Sequence, residues 1–228
     1  MEYLELAQSR HAVKKFDSKK VPLEEIKDII KTARLAPSGI NIQSWHFVVI
    51  DSAEAKAALL KEVNPSNHEQ IETAGGLLMI FADSQYAERL RLISERGSKE
   101  LSSLDLERFT QRYQAYVNGF DAEYLNTYMS ITTGLVTMNL LYAIYDKGYK
   151  ANVVLGYKRT EKINEILKVD KKYRPELIIP FGASEETGNP SFRLGLEDIM
   201  EIRWQKICVN ADFFILSSTF LSVLLKKL

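Results

Sequence analysis

The chain has 228 residues, 46% of them apolar, enough for one sizeable domain with a filled core. Thirty basic residues balance thirty acidic ones, so the chain has no overall field to gather nucleic acid or anionic lipid, and any cationic function has to be local. A single cysteine, Cys208, excludes an intrachain disulfide and a Cys-rich metal site, and His11, His46 and His68 lack paired ligand spacing, so no metal is expected.

MEYLELAQSR carries charge throughout and no apolar leader run, so a cytoplasmic protein is expected. It reads as a short helix with Leu4 and Leu6 on its buried side. VPLEEIKDIIKTARLAPS has Pro22 near a helix start, two glutamates in the first turn, and Leu23, Ile26, Ile29, Ile30 and Ala33 at helical spacing, with Pro37 beyond the end. WHFVVID and LLMIFAD are β-branched and aromatic runs short enough for buried strands, with a helix over EAKAALLKEV between them. The polar text from Gln85 to Gly119 reads as helices reaching out from the main body. YLNTYMSITTGLVTMNLLYAIYDKG is apolar on nearly every face and predicts a helix in a core or an interface. KANVVLG and ELIIPFG read as two further strands, separated by the helix TEKINEILKV. No repeat or low-complexity linker indicates a second domain.

Three stretches carry polar chemistry. SRHAVKKFD places Arg10, His11, Lys14 and Lys15 within six positions, with Lys15 the more ordinary surface lysine. APSGINIQSWHFVVI is a small-residue loop with amides at Asn41 and Gln43, able to let backbone approach a flat ligand. NPSFR puts Arg193 in a Pro-containing loop, and two arginines such as Arg10 and Arg193 can converge on a phosphate. Each arginine taken alone is ordinarily a solvated surface charge, and His46 and His68 read as packed histidines. Spacing alone leaves an anion-binding α+β protein without an assigned activity.

RHAVKKF and APSGINIQSWHF, followed by the closing LGLEDIMEIRW, resemble in content and order the nitroreductase family of FMN-dependent flavoproteins, whose stretches run R-[HR]-[ST]-x-[KR]-x-[FY] and A-P-S-x-x-N-x-Q-P-W-x-[FW]. The similarity covers about residues 1–204, a single FMN-binding domain, and its layout is similar to the oxygen-insensitive NAD(P)H nitroreductase and dihydropteridine reductase branch. It implies an α+β fold, a four-stranded antiparallel core sheet surrounded by helices, and a fifth strand donated by the partner in an intertwined homodimer with FMN in the interface. Residue by residue, it implies Arg10 and Arg193 on the phosphate with His11 beside them, Lys14 at the flavin pyrimidine edge, and Asn67 hydrogen-bonded to the ring. Pro37, Ser38, Gly39, Asn41 and Gln43 match the loop laid on the cofactor by the second subunit, and Gly156 matches a glycine whose backbone passes the reactive nitrogen. Tyr113, Tyr116 and Phe120 are candidates for a substrate-facing lid, or for ordinary helix packing.

The chain departs from that pattern at five positions. Ala12 replaces a hydroxyl residue, Ser44 a proline, Gln70 a second lysine near the flavin, Leu155 an acidic residue, and Ser191 a basic one. At Gln70 a dipole stands where a cation would favour the reduced flavin. The implied activity is ping-pong hydride transfer from NADH or NADPH to nitroaromatics, quinones or similar electron-poor acceptors, with the chemistry at flavin N5 and no protein acid required. A flavin-binding storage or sensor protein with little turnover is the alternative that Gln70 and Ser191 leave open, as is a flavin-free interaction domain. The apolar tail 205–228 is too short to span a membrane. It reads as a surface anchor, a helix packed across the dimer, or an extension without selected function.

Overall fold

The computed structural model describes residues 2–100 and 106–203. In chain order, α1 (Tyr3–Ser9) and α2 (Leu23–Ala33) precede β1 (Trp45–Val49), and α3 (Ala53–Leu60) and α4 (His68–Glu72) precede β2 (Gly76–Asp83). Next come α5 (Tyr86–Glu100), α6 (Leu106–Asn118), α7 (Ala122–Asp146), β3 (Lys150–Ala151), α8 (Glu161–Leu167) and β4 (Tyr173–Gly182). The chain divides into two units, Met1–Pro190, which holds all of these elements, and a second from Ser191 that contains α9 (Leu196–Ile199). The tail 205–228 and Cys208 lie outside the described residues.

GLLMIFAD has no polar residue before its final aspartate, and every residue of β2 is buried. The strand therefore lies inside a four-stranded sheet of order β1-β2-β4-β3, with every pair antiparallel. Its side chains alternate between two cores, as a period of two requires. Leu78 and Ile80 meet Ile29 of α2 and Val136, Leu140 and Ile144 of α7, whereas Leu77, Met79 and Phe81 meet Leu59 of α3, Ile71 of α4 and Ile163 of α8. Helices thus cover both faces, which explains why an antiparallel strand can be as apolar as a parallel one. Among the described residues, no helix is long and apolar enough to cross a membrane.

Two sequence expectations need correction. Leu4 is 67% exposed and α1 buries no residue fully. Tyr3 sets its ring edge-on to Tyr142 at 5.7 Å but is itself 70% exposed, and Leu6 packs on the first core, so Leu6 carries the inward apolar contact and Leu4 does not share it. KANVVLG forms only the two-residue β3, followed by a lone bridge from Val154 to Ile178. Past Ala151 the Asn152 and Val154 amides still donate to the β4 carbonyls of Pro180 at 3.1 Å and Ile178 at 2.8 Å, and the pairing ends at Val154, where the Gly156 carbonyl turns to the Asn64 amide.

Candidate functional site

The cation-rich segment leaves α1 as an extended strip alongside β3. Ala12 bridges Ala151, and the Val13 amide donates to the Ala151 carbonyl at 3.3 Å. The Tyr145 hydroxyl donates to the His11 carbonyl, and the Phe16 amide donates to Thr73 Oγ1 at 3.1 Å. Val13 and Phe16 are buried, Ala12 and Lys14 are exposed, and Arg10 is half-buried. Lys15 forms an exposed ion pair with Glu69 at 3.5 Å, in keeping with its reading as a surface lysine. His11 Nδ1 is buried without a partner.

Beside this strip runs a chain of amides. Asn152 Nδ2 donates to Gln70 Oε1 at 2.6 Å, Gln70 Nε2 to Asn67 Oδ1 at 2.7 Å, and Asn67 Nδ2 to the Gly156 carbonyl at 3.4 Å. The same carbonyl accepts from the Asn64 amide at 2.8 Å. A Cβ on residue 156 would stand 2.7 Å from Asn67 Nδ2, so only glycine allows this approach. Among the described residues, the Gly156 N–H and the second hydrogen of Asn67 Nδ2 meet no acceptor. The neighbouring Leu155 side chain is exposed.

The Pro37–Gln43 loop lies elsewhere. Ile40, Asn41 and Gln43 all have φ near +50°, strained for side chains other than glycine and severely so for β-branched Ile40. The surroundings hold them there. Ile42 is fully buried, Ser38 Oγ accepts from the Gln43 amide at 3.0 Å, and a Cβ on Gly39 would collide with the Tyr128 hydroxyl. Arg89 clamps the loop's exit, donating to the carbonyls of Gln43 at 3.1 Å and Trp45 at 3.2 Å while facing Asp83 at 3.6 Å. Ser44, where the family usually has proline, is fully buried and accepts from the Tyr86 hydroxyl at 3.2 Å. Burial pushes that hydroxyl up to about 12. Tyr113 and Phe120 pack into the cluster beneath this loop, and Tyr116 sets its ring edge-on to Phe120 at 4.9 Å and shares a hydrogen bond with Tyr124 at 2.9 Å.

These two groups occupy opposite corners of the sheet. The strip meets β3 where Ala151 pairs with Phe181, whereas the loop enters β1 where Trp45 pairs with Ala82, itself opposite Arg174. The distance along β4 from Phe181 to Arg174 is roughly 20 Å, and β1 lies three strand spacings, about 14 Å, from β3. Within one chain, Arg10, His11, Ala12, Lys14, Asn67, Gln70, Leu155 and Gly156 form one group, and Pro37, Ser38, Gly39, Asn41 and Gln43 form another with the lid candidates. Ser191 and Arg193 belong to the second unit and are exposed, with Arg193 donating to the Phe192 carbonyl at 2.9 Å.

A cavity of about 620 Å³ lies between residues 60–65 and 155–158. It shares Leu155 and Gly156 with the amide corner but none of its cations. Its one buried carboxylate, Glu62, is already engaged by Lys162 and, at 3.6 Å, Lys158; the bond from Lys162 holds it below the usual carboxylate range. The free donors of the amide corner therefore define the candidate site. Residues that sequence reasoning missed are Asn152, bonded to Gln70 82 positions away, and Arg89 and Tyr145, bonded to distant backbone carbonyls that have no sequence signature.

The description "Nitroreductase family" matches residues 7–183, and the chain belongs to that family. A Streptococcus pyogenes protein provisionally named NAD(P)H nitroreductase Spy0809 is 36% identical over 203 residues, which cover 89% of this chain and 100% of that relative. A nitroreductase family protein from Streptococcus pneumoniae TIGR4 superposes with a TM-score of 0.83 at 36% identity, over 89% of this chain and 100% of the other. A provisionally named nitroreductase from Exiguobacterium sibiricum 255-15, solved in complex with FMN, does so with a TM-score of 0.83 at 30% identity, over 89% and 98%. The fold is the α+β arrangement of that family.

Proposed function

We infer that the protein is an FMN-dependent NAD(P)H oxidoreductase that works as a homodimer and reduces nitroaromatics, quinones or similar electron-poor acceptors. The observation that carries this is the pairing of free donors with local cations in one corner. Among the described residues, the Gly156 N–H and an Asn67 Nδ2 hydrogen meet no acceptor, beside a strip on which Lys14 is exposed and Arg10 half-buried. Such a donor set fits the electron-rich edge of a flavin, the glycine lets a flat ring approach the backbone, and the cations suit its phosphate.

Once bound, FMN would supply the redox chemistry of a ping-pong reaction between NADH or NADPH and the acceptor. The chain's own residues would bind and orient it: Arg10 with His11 at the phosphate, Lys14 and Asn67 at the pyrimidine edge, and Gly156 beside the ring. The loop Pro37–Gln43 is too far across its own sheet to join them, which supports its delivery by a second subunit. Three apolar side chains exposed on α7, Ile131, Leu135 and Met138, supply a surface for that subunit. With the loop come Tyr113, Tyr116 and Phe120, as the lid on the acceptor side.

Purified full-length protein should be yellow, release FMN on denaturation, bleach with NADPH or NADH, and recover its colour with a nitroaromatic. A colourless protein that takes up no FMN would overturn the proposal, and one that binds FMN but does not bleach would be a storage or sensor protein instead. Arg10→Ala should weaken FMN binding about 10- to 100-fold, the loss of a charge-assisted pair worth roughly 1.5–3 kcal/mol, with a smaller effect on riboflavin, which lacks the phosphate. Equal losses for both ligands would show that Arg10 does not meet the phosphate.

A further inference from the structure

Gln70 is only 1% exposed and has both ends of its amide engaged. A buried primary amide offers a donor and an acceptor in nearly the same shape, so its orientation has to be fixed by chemistry. Here a single backbone group fixes three of them. The Gly156 carbonyl can only accept, so Asn67 must turn Nδ2 toward it and Oδ1 away. Oδ1 then requires a donor, so Gln70 presents Nε2. Gln70 Oε1 in turn requires a donor, and Asn152 supplies Nδ2. Reversing Asn67 or Gln70 would set oxygen against oxygen at one end and nitrogen against nitrogen at the other, and reversing Asn152 would set its oxygen against Gln70 Oε1.

We propose that Gln70 and Asn152 are positioning residues for the cofactor, acting through Asn67: they hold its amide so that the remaining Nδ2 hydrogen faces the ligand as a donor and never as an acceptor. This rests on the FMN reading above. The ligand edge that suits such a donor carries acceptors, as the carbonyls and ring nitrogens of a flavin pyrimidine do. Gln70 accordingly serves from behind Asn67 as an orienting dipole, a role that a lysine's ammonium, with no acceptor for Asn152, would not fill.

The test is a double-mutant cycle on the full-length protein, with FMN affinity read by quenching of flavin fluorescence and the midpoint potential of bound FMN read by titration. Asn67→Ala and Gln70→Met should each weaken FMN binding about three- to tenfold, the scale of one hydrogen bond, and shift the potential in the same direction. The double variant should be no worse than Asn67→Ala alone. Gln70→Met leaves buried amides without partners, so Asn152→Ala, at a partly exposed position, is the second variant. It should produce a smaller loss that likewise vanishes in the Asn67→Ala background. A merely structural role for Gln70 would lower the unfolding temperature and leave these losses additive. Additive losses, or unchanged affinity and potential in both Gln70→Met and Asn152→Ala, would overturn the positioning role while leaving FMN binding intact. A wild-type protein that binds no FMN would overturn the cofactor reading and this one with it.

Discussion

His46 shows what one side chain contributes beyond the cofactor corner. Its ring stacks on Tyr173 at 4.1 Å with the planes 14° apart, as its reading as a packed histidine expects. Burial, and then the nearby Arg89 guanidinium, lower its pKa below the ordinary 6.5. The sign follows from proton uptake. Above pH 6.5 both the folded and unfolded states hold a neutral ring and nothing is at stake; below it the unfolded chain takes a proton that the folded one resists, so stability falls as the pH drops. His46→Phe keeps the stack and removes the proton, and should flatten the stability curve between about pH 6.5 and 5.5, by less than about 1.4 kcal/mol per pH unit because one proton is involved. Urea unfolding of both proteins at pH 7.5, 6.5 and 5.5 measures this, and identical slopes would show that His46 titrates normally. At the same scale, Arg89 was illegible in the sequence. Its partners are the backbone carbonyls of Gln43 and Trp45, and a carbonyl is the same at every residue.

Among the elements, α7 was the most legible and β3 the least. An apolar helix of 25 residues, about 37 Å long, has more greasy surface than one sheet can cover. Val136, Leu140 and Ile144 take the core, leaving Ile131 60% exposed with Leu135 and Met138 beside it. The sequence predicts such a helix in a core or an interface, and the structure shows which of its residues the core takes and which stay exposed. Leu135→Glu places a charge in the middle of the exposed stripe without touching the core. If α7 is the dimer contact, sedimentation at micromolar concentration should shift toward monomer, with dimer affinity reduced at least about tenfold, since a buried unpaired charge costs several kcal/mol. An unchanged dimer would move the interface elsewhere. The segment after Ala151 reads as a strand because Val153, Val154 and Leu155 have strand-forming side chains. Its backbone keeps bonding to β4 as far as Val154, but the Gly156 carbonyl then takes the Asn64 amide, a partner from a distant loop that leaves no local pattern.

At the scale of the whole molecule, the cation-rich strip and the Pro37–Gln43 loop of one chain lie at opposite corners of one sheet. The motifs are legible because each is contiguous in the chain. Their separation is not, because it depends on the strand order β1-β2-β4-β3, which no short stretch encodes. If, as proposed, a two-fold dimer unites the strip of one subunit with the loop of the other, twice, mixing two defective chains tests it. Arg10→Ala spoils the strip. Asn41→Gly removes the loop amide while tolerating the backbone, whose φ is 52° there. Each homodimer then has two impaired sites. A mixed dimer has one site with both defects and one with neither, because the intact strip of the Asn41→Gly chain meets the intact loop of the Arg10→Ala chain. With random exchange, about half of the dimers are mixed, so roughly a quarter of all sites should recover wild-type FMN affinity. As a control, a chain carrying both substitutions, exchanged with wild type, gives mixed dimers with no intact site. If the mixture of single variants shows no high-affinity fraction after subunit exchange is verified, the strip and loop of one chain serve the same ligand, or the loop serves none.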